Sequence, residues 1–426
     1  YWFVPLLHRF AGLPWIGALL VGAALLVWQS VPFALLGWVV ARSRRPLLVV
    51  PTALVAVEFL WPTLFPWHVG FPLGRAPLLV QSAEVVGYGI ASFLCAAASS
   101  TIVVALRERR WRPILALGTC GAFVVAYGAV RMRQVDMQSA NHPHLAIGVV
   151  QPNRVARLRS GSEGHVAQLL SGSLRLSERG AEVVIWPETA YPGFLAPDPA
   201  SGLPAGLGQD LEPLPVPLVF GARMGSSTSY ANSVLLRQPG GHVTARYDKI
   251  HLVAFSERRP FDGLLGSLWD LFPRMLQLEA GQEPVVLQAA GTRLGPLVCV
   301  EDLVPSAARE VVRRRAEILV NLTNDSWFGT THGARHHLTS SVFRSIETRR
   351  DLVRCTASGV SAHIDAVGRI LEETPLRDTR EGAAPVGFVA DATRRGGVPV
   401  AVRIRDAFPW ACAALAVLAM LRRRGG

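Results

Sequence analysis

Three stretches of this 426-residue chain carry no charge at all: Trp15 to Val40, Val85 to Leu106 and Pro113 to Val130. Each reaches, or nearly reaches, the roughly 20 residues that cross a bilayer as a helix. Such a run has no polar face to offer water, so it must be buried in lipid or in a protein core. Two weaker candidates accompany them. Leu47 to Leu60 holds one charge, Glu58, and Phe408 to Leu421 is short enough to need flanking residues from Arg403 to Ala407. Half of the chain is hydrophobic but 17% is charged. That balance suits a hybrid of membrane helices and a water-exposed domain better than either alone.

Arginine clusters orient the spans. Arg42, Arg44 and Arg45, then Arg107, Arg109, Arg110 and Arg112, and finally Arg422 to Arg424 flank apolar runs, and the positive-inside rule places all three clusters in the cytoplasm. The apolar loop Trp61 to Gly74 then lies outside, and everything after about Arg131 is delivered to the far side until the last helix returns. The net charge of +12 is therefore read as a topology signal and not as nucleic-acid binding. The expected organisation is a transmembrane region of about four spans over 1–133, an extracytoplasmic domain over 144–399 and a last transmembrane helix over 403–422.

Past His144 the pattern shortens. Leu145 to Val150, Ala181 to Trp186, Leu218 to Ala222, Ser233 to Leu236, His242 to Tyr247, Leu294 to Val300 and Glu317 to Leu322 read as strands, with the turn Pro239-Gly240-Gly241 closing a hairpin. Glu163 to Arg179, Pro305 to Arg315 and Arg335 to Arg350 read as helices, and Pro192 to Pro217 as a long loop of the kind that is functional or mobile. Strands alternating with helices over this length predict one α/β domain.

Lysine occurs once, at Lys249, while the other 42 basic positions are arginine. A position that keeps an amine in such a background calls for a compact ammonium, which guanidinium does not supply. Lys249 follows the hairpin, Glu188 stands just past a strand in Trp186-Pro187-Glu188, and Cys299 ends the strand Gly295 to Val298. All three fall at strand ends, where α/β folds carry their chemistry. A thiol, a carboxylate and an amine form an acyl-transfer set: the thiol attacks a carbonyl, the carboxylate takes its proton, and the ammonium stabilises thiolate and oxyanion. The bland alternatives are a packed core cysteine, a solvated glutamate and a chance lysine.

Trp186-Pro187-Glu188, Tyr247-Asp248-Lys249-Ile250-His251-Leu252 and Val298-Cys299-Val300-Glu301 resemble the three signatures of the nitrilase superfamily. With Asn321-Leu322-Thr323-Asn324-Asp325-Ser326-Trp327-Phe328-Gly329 and the loop Phe65-Pro66-Trp67-His68-Val69-Gly70, the resemblance is to the apolipoprotein N-acyltransferases, from Tyr1 to about Arg422. It implies an α-β-β-α sandwich inserted between transmembrane helices of a bacterial inner membrane, catalytic domain on the periplasmic side. It also implies that the family's first two or so helices precede Tyr1. The implied reaction moves a fatty acyl chain from a phospholipid, through a cysteine thioester, to the N-terminal α-amine of a diacylglyceryl-cysteine lipoprotein, with no cofactor. Matching motifs carry over Glu188 as general base, Lys249 as stabiliser, Cys299 as nucleophile, the Val300 N–H as an oxyanion donor, and Glu257 and Glu301 as supporting carboxylates. Ala254, Ser256 and Val300 depart from the family's usual proline, glycine and aromatic residue, which bears on the pocket rather than on the three central residues.

Trp327 and Phe328 are expected to line an acyl pocket or fill the core. Five cysteines, at 95, 120, 299, 355 and 412, show neither a disulfide framework nor metal spacing. His332, His336 and His337 lack acidic partners at ligand spacing in the sequence, so no metal is expected. Two other functions use the same residues: a membrane-tethered amidase, in which water resolves the acyl-enzyme, and a non-catalytic scaffold. The apolar spans favour a lipid donor over the first. The intact triad and the scarcity of charge within the spans argue against the second.

Overall fold

The computed structural model describes residues 3–9, 12–153, 162–204, 207, 211, 213–263, 266, 277–376 and 385–421. Tyr1 and the arginines at 422–424 lie outside the described residues. The chain opens with helices α1 (Phe3–Arg9), α2 (Trp15–Ala41), α3 (Pro46–Leu60), α4 (Ala83–Val86), α5 (Gly89–Glu108) and α6 (Arg112–Ser139). Of these, α2, α5 and α6 are long and apolar enough to cross a membrane. Along α2 only Ala18, Gly22, Pro32 and Val39 are buried, while Ile16, Leu20, Leu26 and Val27 face outward. Large side chains turned out over several turns require an apolar solvent.

The α/β body follows as β1 (His144–Gln151), α7 (Ser162–Glu178), β2 (Val183–Ile185), β3 (Leu218–Gly225), β4 (Tyr230–Arg237), β5 (Val243–Asp248), β6 (Leu287–Ala289) and β7 (Thr292–Val298). It continues through α8 (Pro305–Arg313), β8 (Ile318–Thr323), α9 (Gly333–Thr348), β9 (Leu352–Thr356), β10 (Ala362–Ile364), β11 (Ile370–Glu373) and β12 (Val386–Thr393). Two six-stranded sheets result, in the orders β12-β1-β2-β3-β4-β5 and β11-β10-β9-β8-β7-β6. Side-chain alternation assigns the faces. Leu145, Ile147 and Val149 on β1, Val183 and Ile185 on β2, and Ile318, Val320 and Leu322 on β8 fill the layer between the sheets. Val184, Leu218 and Phe220 point the other way, into a layer with Val166, Leu169 and Leu176 of α7. Leu297 and Leu319 turn outward to pack with Ala308 and Val312 of α8 and with Leu338, Val342 and Ile346 of α9. The body is an α-β-β-α sandwich, and strands covered on both faces lose the polar alternation of a solvated sheet.

The sequence reading departs from this structure in two places. Helices α10 (Val400–Ile404) and α11 (Ala407–Leu421) are separate. Arg405 breaks them with a φ of 54°, so of the expected flanking residues only Ala407 joins the last apolar helix and Arg403 to Asp406 do not extend it. The long loop is partly core, because Leu211 and Leu214 are buried with Phe220 and the Leu214 carbonyl accepts from Arg237. The apolar loop after α3, expected to lie outside, packs on the body. The Trp67 ring meets His336 edge-on at 5.8 Å, Phe71 lies 5.4 Å from Phe343, and a Cβ on Gly74 would stand 2.5 Å from the Thr339 carbonyl.

Charged groups fasten helices to body. Glu84 accepts from Arg131 and Tyr127 of α6 and from Arg349 at 2.8 Å. Burial opposes its charge, and the two guanidiniums overcome that and hold its carboxyl down at about 2. Asp136, near the end of α6, pairs with Arg369 at 2.8 Å, and Gln81 donates to the Val367 carbonyl.

Candidate active site

Glu188, Lys249 and Cys299 follow the ends of β2, β5 and β7. Since β2 and β5 belong to one sheet and β7 to the other, folding brings the three together across the sandwich. Lys249 is fully buried and Glu188 is 7% exposed. The ammonium donates to Glu257 Oε1 at 2.7 Å and lies 3.9 Å from Glu188 Oε1. The second Glu257 oxygen accepts the Val253 N–H, which fixes the loop that carries it.

Close backbone approach makes this geometry possible. A Cβ on Gly221 of β3 would stand 2.4 Å from the Thr189 nitrogen and 2.7 Å from the Glu188 Cα, so only glycine lets the turn bearing Glu188 pass. A Cβ on Gly281 would likewise meet the Asp248 carbonyl at 2.2 Å, and the Gly281 N–H donates to the Lys249 carbonyl.

Cys299 opens a 3-10 turn, Cys299–Leu303, with a φ of 52°. A residue with a side chain pays of order 1–3 kcal/mol for that left-handed conformation and keeps it only where surroundings enforce it. Glu301 enforces it. Its buried carboxylate accepts the Val298 N–H at 2.8 Å, the Tyr247 hydroxyl, and the Ile250 and His251 N–H groups at 2.8 and 3.0 Å. One side chain thus ties the Cys299 turn to the backbone just after Lys249. Val300, half-buried, directly follows Cys299.

Electrostatics divide the roles. Burial pushes the Cys299 thiol up, Glu188 adds to that, and Lys249 opposes it, so the resting sulfur keeps its proton. Burial likewise raises the Glu188 carboxyl to about 7 against the pull of Lys249, leaving it near balance between accepting and releasing a proton. Burial works against the Lys249 ammonium, but Glu257, 2.7 Å away, together with Glu188 outweighs it and holds the amine charged. Glu188 Oε1 accepts from Asn232 at 2.6 Å, while Oε2 is buried with no hydrogen-bond partner. A buried acceptor with no other partner suits proton uptake from the thiol.

Asn232 is a site residue that the sequence reading missed. Its carbonyl also accepts the Lys249 N–H at 2.9 Å, so it positions two of the three groups. The available signal was a polar residue immediately preceding an apolar strand.

Trp327 and Phe328 lie in the 3-10 turn Asp325–Phe328. Trp327 is 42% exposed and so does not fill the core, whereas Phe328 packs edge-on to His337 and over Gly333. His337 has acidic partners in space that its sequence spacing does not show: Asp302 and Asp325, brought from elsewhere in the chain, lie 2.8 and 2.9 Å from its ring nitrogens. Arg354 occupies the same cluster as a permanent cation, and no metal-holding group of side chains is found among the described residues.

Residues 146–381 match the carbon-nitrogen hydrolase family and residues 1–101 match the apolipoprotein N-acyltransferase N-terminal domain. The apolipoprotein N-acyltransferase of Geobacter metallireducens is 30% identical over 100% of this chain and 84% of its own length. That of Rhodopseudomonas palustris is 31% identical over 99% and 84%. Among solved structures, an amidase from Nesterenkonia sp. AN1 aligns with 62% of this chain and 95% of its own, at 19% identity and a TM-score of 0.45. With both halves matched in their proper order, the chain belongs to the apolipoprotein N-acyltransferase family, a membrane-embedded branch of the carbon-nitrogen hydrolases.

Proposed function

We propose that this protein transfers a fatty acyl chain from a phospholipid to the N-terminal α-amine of a diacylglyceryl-cysteine lipoprotein, through a thioester on Cys299. The observation that carries the reading is the convergence of one buried amine, one carboxylate poised near neutrality and one strained cysteine in a body fastened to lipid-facing helices. In the first half-reaction Glu188 takes the thiol proton as sulfur attacks the donor ester carbonyl. Lys249, and the N–H of Val300, stabilise the oxyanion. Collapse expels the lysophospholipid alkoxide, which recovers the proton from Glu188. In the second half the acceptor amine attacks the thioester and gives its proton to Glu188, which returns it to the departing Cys299 sulfur, leaving an amide and the free thiol.

Glu257 holds Lys249 charged and directed, and Glu301 holds the nucleophile turn. Trp327, exposed beside the site, contributes to the acyl-chain wall together with Phe328. The proposed location is a bacterial inner membrane, with 1–133 and 403–422 spanning it and 144–399 on the periplasmic face. Two features support that orientation. The Arg107 to Arg112 cluster lies at the end of α6 opposite β1, and the loop after α3, far from Arg42 to Arg45, packs on the body.

Peptide mass spectrometry of the Cys299 region, after incubation with phospholipid and no acceptor, tests the reading. A hydroxylamine-labile fatty acyl adduct on Cys299 is expected. An unmodified thiol in folded protein would overturn it.

A further inference from the structure

Behind the nucleophile turn lies a second buried polar cluster that the acyl-transfer chemistry does not use directly. Asp302 comes from the turn of Cys299, Asp325 from the turn of Trp327 and Phe328, His337 and Ser341 from α9, and Arg354 from β9. All five are at most 2% exposed. His337 Nε2 lies 2.8 Å from Asp302 Oδ1 and Nδ1 lies 2.9 Å from Asp325 Oδ1. Arg354 donates to Asp302, to Asp325 Oδ2 at 2.9 Å and to Asn321 Oδ1 at 2.8 Å. Asn321 in turn donates to the Cys299 carbonyl at 3.1 Å. The imidazole therefore bridges two turns, one carrying the nucleophile and the other the aromatic wall.

Charge decides its protonation state. A neutral imidazole offers one N–H and one lone pair, so it would satisfy one carboxylate and present a lone pair to the other. Arg354 Nη2, 2.9 Å from Nδ1, could fill that lone pair. Yet the cluster would then hold two carboxylates against one guanidinium, an unbalanced negative charge beneath a sulfur that must itself become an anion. With an imidazolium the cluster is neutral and both carboxylates receive a proton donor, the arrangement that buried charge requires. The charged groups that face His337 are Asp302 and Asp325 from the two turns and Arg354 from β9; Arg344, further along α9, acts on Asp302.

We propose that His337 is a buried imidazolium that positions Cys299 and the Trp327–Phe328 turn relative to each other and keeps the ground beneath the thiolate electrically neutral. The inference rests on the acyl-transfer reading and adds a residue that acts through the nucleophile rather than on substrate. Burial and Arg354 disfavour charge on this ring, and the two aspartates outweigh them and raise it above an ordinary histidine.

The test combines His337→Gln with the double variant H337Q/D325N and follows single-turnover acylation of Cys299 over a range of phospholipid concentrations. His337→Gln is expected to slow the acylation rate constant about 10- to 100-fold at saturating lipid, with half-saturation moved less than about threefold, because the lost charge acts on the sulfur rather than on lipid binding. Asp325→Asn in that background is expected to restore about tenfold by removing the excess negative charge. A single variant within threefold of the parent, or a double variant slower than the single, would sink the proposal, since packing loss alone accumulates. If His337→Gln does not fold, 15N NMR of the intact protein decides: one histidine should keep both ring nitrogens protonated as the pH is raised through the interval in which ordinary histidines lose a proton. A spectrum in which every histidine ring loses a proton in that interval would also overturn it. A parent protein that never acylates Cys299 would instead overturn the acyl-transfer reading.

Discussion

The helices and the α/β body are built inside out with respect to each other. Along α2, Leu20 is 67% exposed and Ile16 74%, while in the body Lys249, Glu301, Asp302 and Arg354 are each 0% exposed. In water the first arrangement would aggregate and the second would cost several kcal/mol per unpaired charge. The difference teaches that each region answers to its own surroundings. Lipid absorbs apolar side chains without any core behind them, and the body spends its buried polar groups on fixing one turn and one ammonium.

The sharpest break in the comparison is expected at the buried charges. Cys299→Ala and Lys249→Arg should each lower thioester formation more than about 10³-fold with the circular dichroism spectrum unchanged, because one removes the proposed nucleophile and the other puts a wide guanidinium where a compact donor fits. Normal turnover in either would show that these residues only pack. Next come leucines of the two regions. Leu319→Ala, at 0% exposure, should cost about 2–5 kcal/mol in a thermal or denaturant measurement, while Leu20→Ala should change little because lipid fills the space. Equal effects would mean that α2 lies against protein. Leu20→Arg should raise the cost of membrane insertion by about 2.5–3.5 kcal/mol in an insertion assay.

The pH dependence is the gentlest probe. Glu188 must be ionised to act as base, so acylation should fall about tenfold per unit below about pH 7 and level off above it. The stability sign is the reverse. Its folded pKa lies above the reference value of 4.5, so this group's contribution is fully present below that value and fades as pH rises through 7. A rate profile flat from about pH 5.5 to 8 would remove Glu188 from the role of base.

Much of the body could be read from the chain because β1, β2, β3, β7 and β8 are built on short, largely apolar segments. The strands after Arg350 were not. β9 carries Arg354, which looks like a surface residue until Asp302 and Asp325 are brought around it, and β12 owes its place to antiparallel pairing with β1, more than 230 residues away in sequence. Glu188, Lys249, Cys299, Glu257 and Glu301 sit in short motifs whose spacing survives translation into space. Asn232 and His337 do not, since the partners that give them meaning, Glu188 for one and two aspartates for the other, arrive from distant segments. Local sequence reports propensity and motif, whereas a buried ion pair is a property of topology.

The ties at Glu84 and Asp136 set a stand-off. With α6 clamped to the body through Glu84 and Asp136 by Arg131, Arg349 and Arg369, Cys299 keeps one position relative to the membrane helices. On the acyl-transfer reading, donor and acceptor are both lipid-borne and reach it by lateral diffusion in a plane. Saturation would then follow the surface mole fraction of each lipid rather than its bulk molarity. Diluting the donor within the bilayer would slow the reaction, and adding water at fixed membrane composition would not.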